Sequence, residues 1–475
     1  MASDNARPWD DARSALGWWT WASRMSEIWW TRTSGRNAID AARASRLASL
    51  IAFTRERSSF YRDRWRGLPA DALTLAELPV VTKPELMANF NGWVTDDDAT
   101  RERVDAFLAD RTHIGSRFLD RYVVWKSSGS TGEPGIFVQD EFALQTYDAL
   151  VAVQLAHARL AGRYAHGVIT QGARAALIAA VGDHFASIAS WQRVCRGRPW
   201  PNARAFSVMD PVQTIVAELN AYQPAFLASY PTMLAQLAEE RAAGRLHIEP
   251  SCMWSGGEYL APPAATEIER AFGCALINEY GSSECMSIAF SCSERALHIN
   301  SDWVVLEPVD RDFSPTPPGT MSHTVLLTNL ANRVQPVIRY NLGDSVIVRT
   351  RRCGCGSPLP ALEVEGRCDD VVSLSKADGS IVKLMPLALT TIVEEAADVH
   401  HFQIVQHGPD CLKLRFATCT GARRHRAWHA AETALQHYLA EQSLGNVRVV
   451  LDHSPPIPDP RSGKLREVIV EAPHH

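Results

Sequence analysis

Over the first 115 or so residues, apolar and polar positions recur at helical spacing, with a long run from Ala38 to Arg57 and capping residues at Ser58 and Thr82. This part predicts helices. Trp18, Trp19, Trp21, Trp29 and Trp30, interrupted by Arg24, Glu27 and Arg32, suit an amphipathic helix lying on the body of the protein. From about residue 120 the pattern changes to short β-branched runs alternating with Ala-rich helical stretches: RYVVW, then 141–160, then HGVIT at 166–170. The clearest unit is SCMWSGGEYLAPPAATEIERAFGCALINEYGSSE at 251–284, which predicts strand, glycine loop, proline-started helix, strand and loop. If the two strands are parallel, both loops leave the same end of the sheet, the end where open α/β sheets bind ligands. After Arg367 the pattern predicts strands near Ile381, at 401–406 and 411–417, a helix at 421–442, and strands at 447–452 and 465–470.

The expected fold class is therefore α/β. It has a large N-terminal unit, 1–367, of mixed sheets and helices with a helical lead-in over 1–115, and a small mobile α+β unit over 368–475. A chain of 475 residues is long enough for such a division. The formal net charge of -5 disfavours a nucleic-acid or anionic-membrane partner. The apolar stretch 222–238 is broken by Gln223, Pro224 and Pro231, so no membrane span is expected. Ten cysteines without an export signal point to a reducing, cytoplasmic compartment rather than a disulfide framework.

Candidate chemistry begins with SSGSTGEPG at 127–135. Its glycines leave backbone N–H groups open to an anion, and Ser127, Ser128, Ser130 and Thr131 add hydroxyl donors around Gly129 and Gly132. It lacks the GxxxxGK[ST] spacing of a P-loop, so a different nucleotide fold is implied. Further polar islands follow: WSGGE at 254–258, NEYGSSE at 278–284, RYNLGD at 339–344, GRCDD at 366–370 and RSGKLREV at 461–468.

In their order and approximate spacing, these six islands resemble the adenylate-forming superfamily, and within it the phenylacetate-CoA ligase-like branch of aryl-acid ligases. The resemblance implies ATP-dependent activation of a small aromatic acid to an acyl-adenylate, with pyrophosphate release, and then transfer to CoA. It also implies site residues. Ser127 to Gly135 would hold the outer phosphates of ATP, Ser283 would donate to the α-phosphate, and Glu284 would help hold Mg²⁺. Tyr280 would lie against the adenine, with Gly256, Gly257 and Glu258 across the slot and Asn278, Glu279, Gly281 and Ser282 completing the loop. Asp344 and Arg367 would bind the ribose, Lys464 would reach the carboxylate and α-phosphate oxygens, and Asp369 would be the hinge. The acid would lie between the helix after the phosphate loop and the strands that follow, near His184, Tyr230 and Ser255.

Two departures stand against the family pattern. Glu133 occupies a phosphate-loop position that usually carries Lys, unless Lys126 substitutes for it. The stretch VVSLSKADGSIVKLMP after the hinge lacks the glycine-led segment that in many relatives faces the pantetheine tunnel. Adenylation is thus better supported than thioester formation, and transfer to an amine, a carrier-protein thiol or nitrite, or nucleotide binding without turnover, are the alternatives.

Cys292 and His298 in FSCSERALHIN, with Cys353 and Cys355 in RRCGCG, make a Cys₃His set suited to structural Zn²⁺. It would staple the loop after NEYGSSE to the one before GRCDD. The assembly is expected to be a monomer or homodimer.

Overall fold

The computed structural model describes the chain except for residues 1–7, 69–73, 128–133, 158–171, 173, 198–201, 366–370, 398, 400, 418–420, 458–465 and 472–475. Among the described residues the largest sheet has nine strands. Five are parallel neighbours: β4 (Ala203–Ser207), β3 (Ala175–Ala179), β5 (Phe226–Ser229), β6 (Cys252–Ser255) and β7 (Ala275–Tyr280). The sheet then continues antiparallel through β8 (Ala289–Ser291), β9 (Leu297–Ile299), β14 (Ala361–Glu365) and β13 (Ser345–Val348). The unit predicted over 251–284 is present, with the helix Pro262–Phe272 between two parallel strands.

Strand alternation divides the parallel half into two faces. Leu177, Ala228, Trp254 and Ile277 lie side by side on one face and join the apolar cluster that includes Leu144, Leu150 and Val153 of the helix Glu141–His157. Ile178, Leu227 and Met253 point the other way, into a cluster with the helices Val212–Tyr222, Pro231–Ala242 and Pro262–Phe272. Buried on both sides, these strands read as nearly continuous apolar runs, as parallel strands do.

A two-stranded hairpin of β1 (Val123–Lys126) and β2 (Ile136–Gln139) and a three-stranded sheet of β10 (Val304–Val309), β11 (Thr324–Asn329) and β12 (Tyr340–Asn341) flank this core. After residue 370 the strands form sheets of their own: β15 (Val372–Ser375) with β16 (Ile381–Leu384), and a four-stranded sheet in the order β19 (Arg448–Asp452), β18 (Cys411–Phe416), β17 (Phe402–Gln406), β20 (Val468–Val470). Apart from β15, these strands and the helix Gly421–Glu441 agree with the pattern read from the sequence, which anticipated neither β15 nor the helix Pro386–Ala397. The expected strand at 166–170 and the expected boundary at 367/368 lie outside the described residues.

The lead-in is helical, with Pro8–Thr33 and Arg36–Arg57 as its long helices. Ser58 caps the helix Ser59–Arg64 through a bond from Tyr61 N–H, whereas Thr82 begins the helix Lys83–Ala88 without a side-chain cap. Trp21, Met25, Ile28 and Arg32, spaced four, three and four residues apart, form the inward stripe of the first helix. That stripe leaves Trp19, Trp29 and Trp30 on the outside, at 77%, 49% and 68% exposure, so only part of the expected tryptophan face lies on the body. No helix among the described residues is long and apolar enough to cross a membrane.

At the end of the stripe, the buried Arg32 guanidinium binds both carboxylate oxygens of the fully buried Asp302, at 3.1 and 2.9 Å, and Asn300 Oδ1 at 2.9 Å. A buried charge that loses its partner is strongly destabilising, even where the intact pair contributes little net stability. Arg32→Met is therefore expected to lower the unfolding free energy by about 3–5 kcal/mol in urea denaturation, and adding Asp302→Asn to it to recover part of the loss. Unchanged stability in Arg32→Met would contradict this anchoring.

Candidate active site

The C-terminal ends of β5, β6 and β7 open into a cleft of about 1760 Å³. Each end contributes a turn to its wall. Tyr230 follows β5 directly and precedes the helix Pro231–Ala242, its phenol accepting a bond from Ala180 N–H at 3.3 Å. After β6, Gly257 has φ +82°, and a Cβ there would lie 3.1 Å from the Tyr230 ring. The turn therefore packs flat on that ring. Glu258 accepts bonds from Thr232 N–H and Oγ1, at 3.2 and 2.7 Å, which fixes the turn against the N-terminus of the same helix.

The loop after β7 is tighter. A Cβ on Gly281 would lie 1.9 Å from the Met286 carbonyl oxygen, so the close return of the chain excludes every side chain at this position. Ser282 N–H donates to Cys285 O at 2.9 Å, Cys285 N–H donates to Ser282 O at 3.1 Å, and Ile288 N–H donates to Tyr280 O at 3.1 Å. From outside the loop, Trp125 Nε1 donates to Ser283 O at 2.8 Å and Asn329 Nδ2 to Glu284 O at 3.0 Å.

Two phenols then set the carboxylates. Tyr280 Oη donates to Asp344 Oδ2 at 2.9 Å, and Tyr340 Oη donates to Glu284 Oε1 at 2.6 Å. Burial, followed by the neighbouring carboxylates, pushes both phenols well above their ordinary range, so they remain donors. Tyr340 belongs to the RYNLGD island but was not singled out from the sequence. The signal lay in its alternation with Asp344 on a short segment, too short to show which element it faced.

The segment expected to grip the phosphates links β1 to β2. Ser127 N–H donates to Gly135 O, and Gly135 N–H donates to Ser127 Oγ, both at 2.8 Å, closing its base. Its tip, with Ser128, Gly129, Ser130, Thr131, Gly132 and Glu133, lies outside the described residues, as do Arg367, Asp369 and Lys464. Lys126 lines the cleft and is ion-paired with Asp183, so part of its charge is already matched.

The structure brings Ser127, Tyr230, Gly256, Gly257, Glu258 and Asp344 to the same cleft as residues 278–284. It does not bring His184 or Ser255 there. His184, expected in the acid-binding wall, is fully buried behind the hairpin: its Nε2 lies 3.1 Å from Asp110 O, and its own carbonyl accepts from Lys126 N–H at 2.7 Å. Ser255 is fully buried because its position on β6 places it on the opposite face of the sheet from Trp254. The Glu279 carboxylate turns to Trp254 Nε1, at 2.8 Å, and Ser287 Oγ, at 3.1 Å, apart from the Tyr280–Asp344 pair.

Away from the cleft, one nitrogen or sulfur from each of Cys292, His298, Cys353 and Cys355 lies within 4.8 Å of all the others. Cys292 Sγ and Cys353 Sγ are 3.6 Å apart, and Cys355 Sγ is 3.3 Å from His298 Nε2. Tetrahedral zinc, with Zn–S near ~2.3 Å, requires ligand separations of this size. His298 Nδ1 faces Leu359 O at 2.9 Å, which presents Nε2 to the cluster, and backbone N–H groups of Glu294 and Ser357 point at the sulfurs of Cys292 and Cys355.

Residues 119–313 match the family of AMP-binding enzymes. Over 482 aligned positions, covering 92% of this chain and 97% of the relative, the chain is 25% identical to a phenylacetate-coenzyme A ligase of Thermus thermophilus. A stretch of 133 residues, 28% of either chain, is 27% identical to protein CapK of Staphylococcus aureus. Among solved structures, a 2-hydroxyisobutyryl-CoA ligase in complex with its acyl-AMP and CoA shares the fold, with a TM-score of 0.52 and 22% identity over 91% of this chain and 89% of that one. The matched family segment contains the hairpin, the parallel strands and the whole 278–284 loop. The chain thus carries a segment that matches the AMP-binding enzymes and, along nearly its whole length, is similar to a phenylacetate-CoA ligase.

Proposed function

We propose that this enzyme activates a small aromatic carboxylic acid with ATP and transfers the acyl group to CoA. The observation that carries the reading is the convergence, in one cleft, of the Tyr280–Asp344 pair, the Tyr340-held Glu284, the Gly256–Glu258 turn and the base of the β1–β2 hairpin. Its volume exceeds the roughly 300–1,000 Å³ of an ordinary small-ligand site, which suits a nucleotide and an acid held together.

In the first half-reaction, a carboxylate oxygen of the acid forms a bond to the α-phosphorus of ATP and pyrophosphate leaves with the electrons of the broken P–O bond. Such a step depends on positioning and charge stabilisation. Asp344 would accept from the ribose hydroxyls, the Tyr280 ring and the Gly256–Glu258 turn would enclose the adenine, and the hairpin hydroxyls would hold the outer phosphates. Glu284 fits a Mg²⁺ ligand, because Tyr340 engages one of its oxygens and the residue faces the cleft. The ion would offset phosphate charge. In the second half-reaction, the CoA thiolate attacks the acyl carbon and AMP leaves.

The remaining roles rest on the family resemblance. Arg367 would assist at the ribose, Lys464 would stabilise the developing charge at the carboxylate and α-phosphate oxygens, and Asp369 would be the hinge between a unit spanning 1–367 and a lid spanning 368–475.

The same chain would carry one structural zinc at Cys292, His298, Cys353 and Cys355. The pairing it would support is short: β9 and β14 pair at Leu297↔Leu362 and His298↔Ala361, extended by one bond from Ile299 N–H to Pro360 O. In the metal-free geometry, burial and the adjacent sulfurs push the Cys355 thiol up to about 12, an environment that a divalent cation would reverse.

Two outcomes are expected. Pyrophosphate release should appear with an aromatic acid and ATP alone and accelerate many-fold when CoA is added, with an aryl-CoA seen by mass spectrometry. Release that is indifferent to CoA would favour another acceptor, and no release with any acid would reject adenylation. Metal analysis should give one zinc per chain, and Cys353→Ser with Cys355→Ser should lower the melting temperature. Zinc-free protein with an unchanged melting temperature in that variant would reject the site.

A further inference from the structure

The sheet face turned toward the helices Glu141–His157 and Ala186–Gly197 is apolar along row after row: Leu177 and Ala179 on β3, Phe226 and Ala228 on β5, Cys252 and Trp254 on β6, Ala275 and Ile277 on β7. The next β7 position on that face is Glu279. A carboxyl where the strand pattern calls for a hydrophobe is costly, because burial disfavours its charged form.

Among the described residues no positive side chain offsets the charge. The two oxygens accept one bond each, from Trp254 Nε1 and Ser287 Oγ, and among the described residues no cation lies against them. Asp148, on the wall of the same cleft, differs in being matched by Arg193 at 2.6 Å. Burial pushes the Glu279 carboxyl up to about 7, with the Trp254 and Ser287 bonds only partly opposing it. Each oxygen retains acceptor capacity beyond the bond it makes. Glu279 is not sealed in the core, and the cleft that it lines also has Val151, Leu155, Trp191, Phe226 and Trp254 on its wall, of which Trp254 touches Glu279 directly. Val151 and Leu155 belong to the helix Glu141–His157 and Trp191 to the helix Ala186–Gly197, so these walls come from the two helices and the sheet face.

We propose that Glu279 is a specificity-determining residue: it selects an aromatic acid whose ring carries a hydrogen-bond donor, an amino or a hydroxyl group, which meets the Glu279 carboxyl inside the apolar wall. This rests on the adenylation reading and names the class of acid for that site. A site built to bond a substrate N–H or O–H discriminates against the analogue lacking it, because the buried acceptor is then left unmatched. The ring would fill the space between the helices and the sheet while the donor supplies the partner that the protein omits.

The test is acid-dependent ATP–pyrophosphate exchange by the full chain, using benzoic and phenylacetic acids beside their ring-amino and ring-hydroxy derivatives. Wild-type protein should show kcat/KM about 10- to 100-fold higher for a donor-bearing acid than for its unsubstituted parent. The amino and hydroxy arms identify which donor is read. Glu279→Leu should reverse that ratio in favour of the parent acid, whereas Glu279→Gln, which keeps an acceptor oxygen, should retain part of the preference. Exchange as fast with the parent acids as with every derivative in wild-type protein would overturn the inference while leaving adenylation standing, and that arm requires no variant to fold. An unchanged ratio in folded Glu279→Leu would overturn it equally. Exchange with none of the acids would remove the adenylation reading and this inference with it.

Discussion

The approach of Gly281 to the Met286 carbonyl is the constraint around which the cleft is arranged. With 1.9 Å between a notional Cβ and that oxygen, the chain can turn back on itself only at glycine. The return brings Tyr280, Ser283 and Glu284 to one edge of the cleft within five residues. Trp125 from the hairpin and Asn329 from β11 then hold carbonyls of the loop, so three separate sheets meet on one short segment. Functional geometry held by elements distant in sequence is better defined than geometry held by a loop alone.

The two faces of the central sheet carry different tasks. One packs against helices that support the fold, and the other faces the space where an acid would lie. Glu279 is conspicuous because it breaks the apolar rule on the second face, next to Tyr280, which turns to Asp344. Alternation along a single strand thus sends adjacent residues toward the two reactants of the proposed reaction. The Cys₃His cluster stands apart from this chemistry. It lies beside a short pairing in the antiparallel half, where two residues on each strand pair β9 with β14.

Much of this organisation was legible in the sequence wherever local signals were strong. The 251–284 unit announced itself through paired glycines, a proline at the helix start and β-branched strands. The four members of the Cys292, His298, Cys353 and Cys355 cluster were legible by residue type. His184 and Ser255 were not, because their placement depends on contacts that a linear pattern does not encode: His184 meets a carbonyl 74 residues earlier, and Ser255 is decided by which face of β6 turns inward. The helix Pro386–Ala397 begins at the last residue of the stretch read for its departure from a family pattern and was not read from the sequence. Glu279 was visible as part of NEYGSSE, but its separation from the Tyr280–Asp344 pair required the register between β6 and β7.

The central claim is that the cleft holds an acyl-adenylate with Asp344 engaging the ribose. It is tested most directly by titrating wild-type protein and Asp344→Ala with a non-reactive acyl-sulfamoyl adenosine, following melting temperature and heat of binding. A ligand that binds only the folded state raises the melting temperature in proportion to its affinity. The account predicts a clear upward shift in wild-type protein and a shift reduced by at least about tenfold in affinity for Asp344→Ala, as expected when a charged hydrogen-bond acceptor is lost. No binding by wild-type protein, or equal binding by the two, would contradict it.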